Sequence, residues 1–182
     1  MAVQGKTYTA AEFFAIEDLP ENADRILELV VGEIVEKMPS FAPSRIAVKI
    51  GHYLSQYIDE HPIGYITGSD GGYIMSEGNI FIPDVAFISK ARLPQEPERE
   101  APVPPDLAVE VKSPTDAKRG LRLKAEKYLI SGTRLVWLVF PDEQLVEVYL
   151  ASEDVRTLGL NDALDGADVL PDFSLHVRAI FA

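Results

Sequence analysis

The chain contains no cysteine among its 182 residues, so disulfides and thiolate-bound metals are excluded. A cytoplasmic location is the simplest expectation. Three histidines are present, His52, His61 and His176, with no mutual spacing suited to a metal site. No apolar run approaches the length of a transmembrane helix, and no membrane association is expected. Met1 to Tyr8 lack the basic stretch and apolar block of a secretory leader. There is no Gly-x-Ser-x-Gly elbow, and no Gly-Lys-Ser or Gly-Lys-Thr follows the Gly68 to Gly72 segment. A serine-triad hydrolase and a phosphate-binding loop are both disfavoured. Basic residues are scarce, 17 against 29 acids, for a formal charge of -12. Taken alone, that balance argues against a nucleic-acid binder, because phosphate affinity comes from lysine and arginine.

The charge is uneven, however. From Pro141 onward there are nine acids and two bases, whereas Lys112 to Arg134 hold seven bases and two acids. Lys118, Arg119, Arg122, Lys124 and Lys127 follow closely on one another there, either as a solvated helix face or as contacts for phosphate. With 47% hydrophobic and 25% charged residues the composition is that of a globular protein, and the length suits one domain over 1–182.

Thr9 to Glu12 read as a capping box opening a short helix that Pro20 stops. Arg25 to Met38 read as a hairpin pivoting near Gly32. A helical stripe runs over 44–60, followed by short strands at 64–67 and 73–75. Asn79 to Ile88 is a strand that Pro83 must interrupt. Five prolines and three glutamates make 94–105 an exposed loop. Asp106 to Lys112 is apolar enough for a central strand, then 117–131 form a helix closed by Gly132. Leu135 to Phe140 is a buried strand that pairs with 145–150. The acidic tail is expected to add short strands near Val155 and Val169 and a last helical turn near Phe173. Strand, helix and strand over 106–140 imply a parallel pair in a mixed α/β sheet flanked by helices.

Chemistry concentrates around that strand. Glu110 and Lys112, two apart, project from one face within an otherwise apolar run. A lone Glu-x-Lys reads most simply as a pair or as groups snorkelling at a strand end. Asp84, just after Pro83 in a neighbouring strand, changes that reading. Two carboxylates brought together repel unless a proton or cation lies between them, and magnesium is the natural occupant. Asp84, Glu110 and the Val111 carbonyl would hold the metal, and Lys112 would orient water and offset developing negative charge.

In this order, Glu28-Leu29-Val30, Gly32-Glu33-Ile34, Pro83-Asp84-Val85, Glu110-Val111-Lys112-Ser113-Pro114, Lys124, Tyr128, Gly132 and Val136-Trp137-Leu138-Val139 resemble a known family. It is the Uma-type restriction-endonuclease family of the PD-(D/E)xK phosphodiesterase superfamily, and the likeness runs from about Tyr8 to Pro171. The resemblance implies a restriction-endonuclease-like fold with an N-terminal hairpin, a nuclease core over about 44–140 and a C-terminal β extension. It also implies a magnesium cofactor (manganese as substitute), a nucleic-acid substrate, DNA by expectation, and a homodimer. By position, Asp84 and Glu110 match the metal carboxylates and Lys112 the catalytic lysine. Relatives without that lysine rely on one in the following helix, here Lys124, which is either a supporting residue or a snorkelling edge residue. Glu28 matches an additional acid near the metal, or else faces solvent.

The chain also departs from the family. Phe41 to Arg45 lack a histidine that relatives carry before the long helix, and Phe140 replaces an aspartate before proline. Val31 stands at a turn position where relatives prefer Asn or Asp; its branched Cβ resists positive φ, so a primed turn is not expected. The competing reading is a catalytically inactive nuclease-fold binding or regulatory module, motivated by the overall acidity. A rise in melting temperature with magnesium or manganese separates a metal site from such a module.

Overall fold

A computed structural model describes residues 6–38, 40–151 and 153–182; Met1 to Gly5, part of the segment read above for a leader, lie outside it. Helix α1 (Ala10–Glu17) starts at the expected capping box, with Thr9 and Glu12 exchanging side-chain and backbone hydrogen bonds. Strands β1 (Leu27–Val30) and β2 (Glu33–Glu36) form the hairpin, and α2 (Phe41–Glu60) begins three residues earlier than its apolar stripe suggested. Strands β3 (Gly64–Thr67), β4 (Tyr73–Ser76), β5 (Asn79–Phe81), β6 (Val85–Ser89) and β7 (Leu107–Val111) lead to α3 (Lys118–Ile130). The chain ends with β8 (Leu135–Phe140), β9 (Leu145–Leu150), β10 (Arg156–Leu158), β11 (Ala163–Gly166), β12 (Leu170–His176) and α4 (Val177–Phe181).

A six-stranded sheet in the order β10-β9-β8-β7-β6-β3 forms the centre, and β7 and β8 are its parallel pair. Its residues alternate between two cores, as the pleat requires. Val85, Val109, Trp137 and Val148 pack against Ile46, Ile50 and Leu54 of α2 and against Phe173 and Leu175 of the C-terminal ribbon. Ala86, Ala108, Val136 and Leu138 pack against Leu121, Ala125 and Tyr128 of α3. Each large apolar side chain so buried contributes roughly 1.5–3 kcal/mol relative to exposure. A second sheet, β2-β1-β5-β4, closes over Phe13, Leu27, Leu29 and Ile80.

Two expectations need correction. Phe173 lies in β12, not in a helical turn, because Phe173, Leu175 and Val177 are buried at period two; the final helix starts after His176. The hairpin turn has positive φ at both central residues, Val31 (55°) and Gly32 (76°), which is the primed arrangement. Neighbouring segments enforce it. Asn79 Oδ1 accepts the Val31 N–H at 2.9 Å, the Gly32 N–H donates to Gly78 at 2.9 Å, and Gly32 accepts from Tyr8 at 2.8 Å.

Candidate active site

The site forms where the chain passes from one sheet to the other. Strand β5 ends at Phe81 and β6 begins at Val85, so Ile82 falls in neither ladder and its backbone groups need other partners. Glu28 Oε1 accepts the Ile82 N–H at 2.6 Å, and Lys37 Nζ donates to the Ile82 carbonyl at 2.7 Å. The same crossing delivers Asp84. Its N–H donates to the Val109 carbonyl at 3.0 Å, and its Oδ2 accepts the Val111 N–H at 2.8 Å. Lys37 Nζ donates to Oδ1 at 2.9 Å. One step beyond the Val85–Val109 pair, Asp84 stands across from Glu110, both on the α3 side of the sheet.

Helix α3 supplies the rest. Lys124 and Tyr128 sit one turn apart on its inner face. Tyr128 Oη donates to Glu110 Oε1 at 2.7 Å, and Lys124 Nζ lies 2.9 Å from the same oxygen. Lys124 also reaches both oxygens of Glu28, at 2.8 and 2.9 Å. Three carboxylates thus meet two ammonium groups, a formal -1. Glu28 and Glu110 are buried, and Asp84 and Lys37 nearly so.

Burial alone would lower the Lys124 pKa, but Glu110 and then Glu28 outweigh it and hold the ammonium well above the ordinary lysine range. Lys37 shows the same contest of burial against Glu110 and Asp84, and it also ends above its usual value. Asp84 is raised from the usual carboxylate range by burial and then by the Glu110 charge, with Lys37 and the Val111 N–H pulling back. Burial and Glu110 push the Tyr128 phenol far up, so it serves as a donor.

A cleft of about 1290 Å³ opens over the cluster, with Glu28, Lys37, Asp84, Glu110, Val111 and Lys124 in its wall. Four of the five expected side chains therefore converge. Lys112 does not join them. Its Nζ donates to the Ser113 carbonyl at 2.9 Å and stands 3.8 Å from Asp142, and no ion pair or hydrogen bond links it to the cluster among the described residues. Of the basic helix, Lys118 and Arg122 pair with Glu143 and Glu147, whereas Lys127 lines the cleft. Lys37 was missed by sequence reasoning, yet it could have been found. In a hairpin with a two-residue turn Glu28 faces Val35, so Lys37 lies two residues along on the face of Glu28.

Among the described residues no three or more His, Cys, Asp or Glu side chains are grouped to hold a metal. Two adjacent carboxylates remain, which fits magnesium, an ion held by one or two carboxylates together with water and substrate phosphate. Glu110 Oε2 has no protein donor among the described residues, because Tyr128 and Lys124 both use Oε1.

Residues 10–178 match the Uma2 family model, described as "Putative restriction endonuclease". No curated protein matches the sequence. Among solved structures, the chain is similar to the crystal structure of "a putative nuclease belonging to DUF820 from Anabaena variabilis ATCC 29413". The TM-score is 0.80 at 22% identity, covering 95% of this chain and 97% of that one. That likeness bears out the nuclease-type α/β fold. By the family match over most of its length, the chain belongs to the Uma2 family, described as putative restriction endonucleases.

Proposed function

We propose that the protein is a magnesium-dependent endonuclease that hydrolyses phosphodiester bonds in nucleic acid, with DNA as the expected substrate. The observation that carries this reading is the pairing of Asp84 with Glu110 under the Lys124 ammonium, in the wall of an open cleft. A magnesium or manganese ion held by Asp84, Glu110 and the Val111 carbonyl would supply Lewis acidity toward the attacking water and the phosphate. Lys124 contributes a fixed positive charge where negative charge grows during attack, already oriented before substrate arrives. Glu28 braces Lys124 from the far side and is itself braced by the Ile82 N–H. Tyr128 fixes one oxygen of Glu110 and leaves the other without a protein donor among the described residues.

On this reading the amine role passes from Lys112 to Lys124, which touches Glu110. Cutting both strands of a duplex calls for two such sites, which a homodimer supplies; Met38, Phe41 and Val48 expose apolar surface beside the cleft for pairing.

DNA cleavage with magnesium or manganese tests the proposal, with circular dichroism to show that each variant is folded. Glu110→Ala and Lys124→Ala are expected to lose about 10²–10³ in rate, the scale of a lost electrostatic contact in a transition state. Lys112→Ala should lose less than about tenfold. The reverse order would return the amine role to Lys112. Equal cleavage by wild type and Glu110→Ala with every divalent ion would leave the inactive module as the reading.

A further inference from the structure

Both oxygens of Asp84 are already engaged. Oδ2 takes the Val111 N–H, and Oδ1 takes the Lys37 ammonium. These two donors differ in what it costs to remove them. The Val111 N–H belongs to a central strand whose neighbours β6 and β8 fix its position. Lys37 reaches in on a flexible four-carbon stem from the residue after β2, its backbone pinned by an N–H donated to the Ile26 carbonyl at 2.8 Å. Its ammonium can let go of Asp84 without disturbing a ladder and still keep the Ile82 carbonyl, which it reaches at 2.7 Å. It also faces the cleft, as Asp84 does.

Charge leads to the same residue. Lys124 serves Glu28 and Glu110, and both of its partners are held a second time, by the Ile82 N–H and by Tyr128. Lys37 is the other cation, and Asp84 is its only ion-pair partner among the described residues. A divalent ion approaching Asp84 Oδ1 meets that ammonium there.

Resting on the metal-dependent reading above, we propose that Lys37 is a resident counter-ion for Asp84 that competes with the divalent cation and sets the affinity of the site. In the metal-free protein it relieves the repulsion between Asp84 and Glu110. On metal entry it releases Asp84 Oδ1 while keeping its hydrogen bond to the Ile82 carbonyl. Lys37 thereby acts as a positioning residue for Asp84 and as a threshold for loading.

The test is direct manganese binding, by calorimetry and by the electron paramagnetic resonance signal of free manganese, on wild type, Lys37→Gln and Lys37→Arg. An opposite charge at this distance shifts proton binding to a carboxylate by about one to three units, and a competing ammonium acts on a metal in the same sense. Lys37→Gln should therefore bind manganese about tenfold or more tightly. Lys37→Arg, which keeps the charge and adds a second donor toward the carboxylate, should bind no more tightly than wild type. Unchanged or weaker binding by Lys37→Gln overturns the inference while wild-type binding leaves the metal reading intact. Absence of manganese binding in all three proteins overturns both. If Lys37→Gln fails to fold, Lys37→Arg decides, because tighter binding by that variant contradicts competition.

Discussion

Strand β7 has a buried carboxylate near each end, Asp106 and Glu110, and the two ends treat them in opposite ways. At its start, Asp106 is 1% exposed and accepts the Ser89 N–H at 2.8 Å. Arg92 and Arg134 approach its other oxygen at 3.3 and 3.6 Å, so one carboxylate meets two guanidinium groups. Near its end, Glu110, Asp84 and Glu28 share two lysines. With Asp168 paired to Arg134 the first cluster is balanced, whereas the second has an anion in excess. Arginine is always charged and holds a planar fork of donors, whereas the lysine ammonium is a point charge on a mobile stem. The arginine end is a closed lock. On the metal-dependent reading proposed above, the lysine end admits another cation, which would distinguish a structural carboxylate from a candidate ligand.

Replacing each acid by its amide tests the contrast. Asp106→Asn should cost about 2 to 3 kcal/mol in urea denaturation, below the full cost of breaking a buried pair because both arginines keep contact with water. Asp84→Asn should cost about 1 kcal/mol or less. The reason is the sign of its titration. Burial and then Glu110 raise the Asp84 carboxyl above its ordinary value, so the folded state favours its protonated form. The stability this provides is present at acid pH and is lost as pH rises through the raised value. Relative to wild type, Asp84→Asn should therefore gain stability from acid to neutral pH. Equal cost for the two amides at neutral pH would erase the distinction between the two ends.

Much of this was legible in the residues. Period-two and period-3.6 patterns located the hairpin, α2, β7, α3 and the β8–β9 pair, since those elements each bury one defined face. Pro83 marked a strand break, though not that the break is a crossing between sheets, which depends on which strands pair. The face of Lys112 was readable, but its rotamer was not. A lysine at a strand end can swing either way, and the Ser113 carbonyl and Asp142, across the β8–β9 turn, draw it outward. Lys124 was readable only as an inward-leaning lysine, because its partner Glu28 is 96 positions away. The tail misled for a different reason: Asp172 takes a left-handed φ of 63° beside a bulge, which hides the strand period around Phe173.

Left-handed positions repeat the contrast between the two ends. Gly132 (φ 104°) follows α3, and its carbonyl accepts Arg92 at 2.9 Å, so it shapes the arginine lock. A Cβ there would meet only the Arg92 guanidinium at 3.7 Å, which leaves conformation as the cost. Gly132→Ala should destabilise by about 1 to 2 kcal/mol.

At the site end the corresponding position is Val31, a branched residue at φ 55° in the turn of the hairpin that carries Glu28 and Lys37. Its strain is borne by the hydrogen bonds that clamp the turn, two donated to Asn79 Oδ1 and the Gly78 carbonyl and one accepted from the Tyr8 N–H. Asparagine tolerates this conformation far better than valine. Val31 is more than half exposed, so little packing is lost on replacement. Val31→Asn is therefore expected to stabilise the fold by about 0.5 kcal/mol in urea denaturation, the smallest of these effects. Manganese affinity should not change, because the two-residue turn and its register, which aim Glu28 and Lys37 into the cleft, stay the same. A shift in that affinity would mean that the strained turn itself tunes the site.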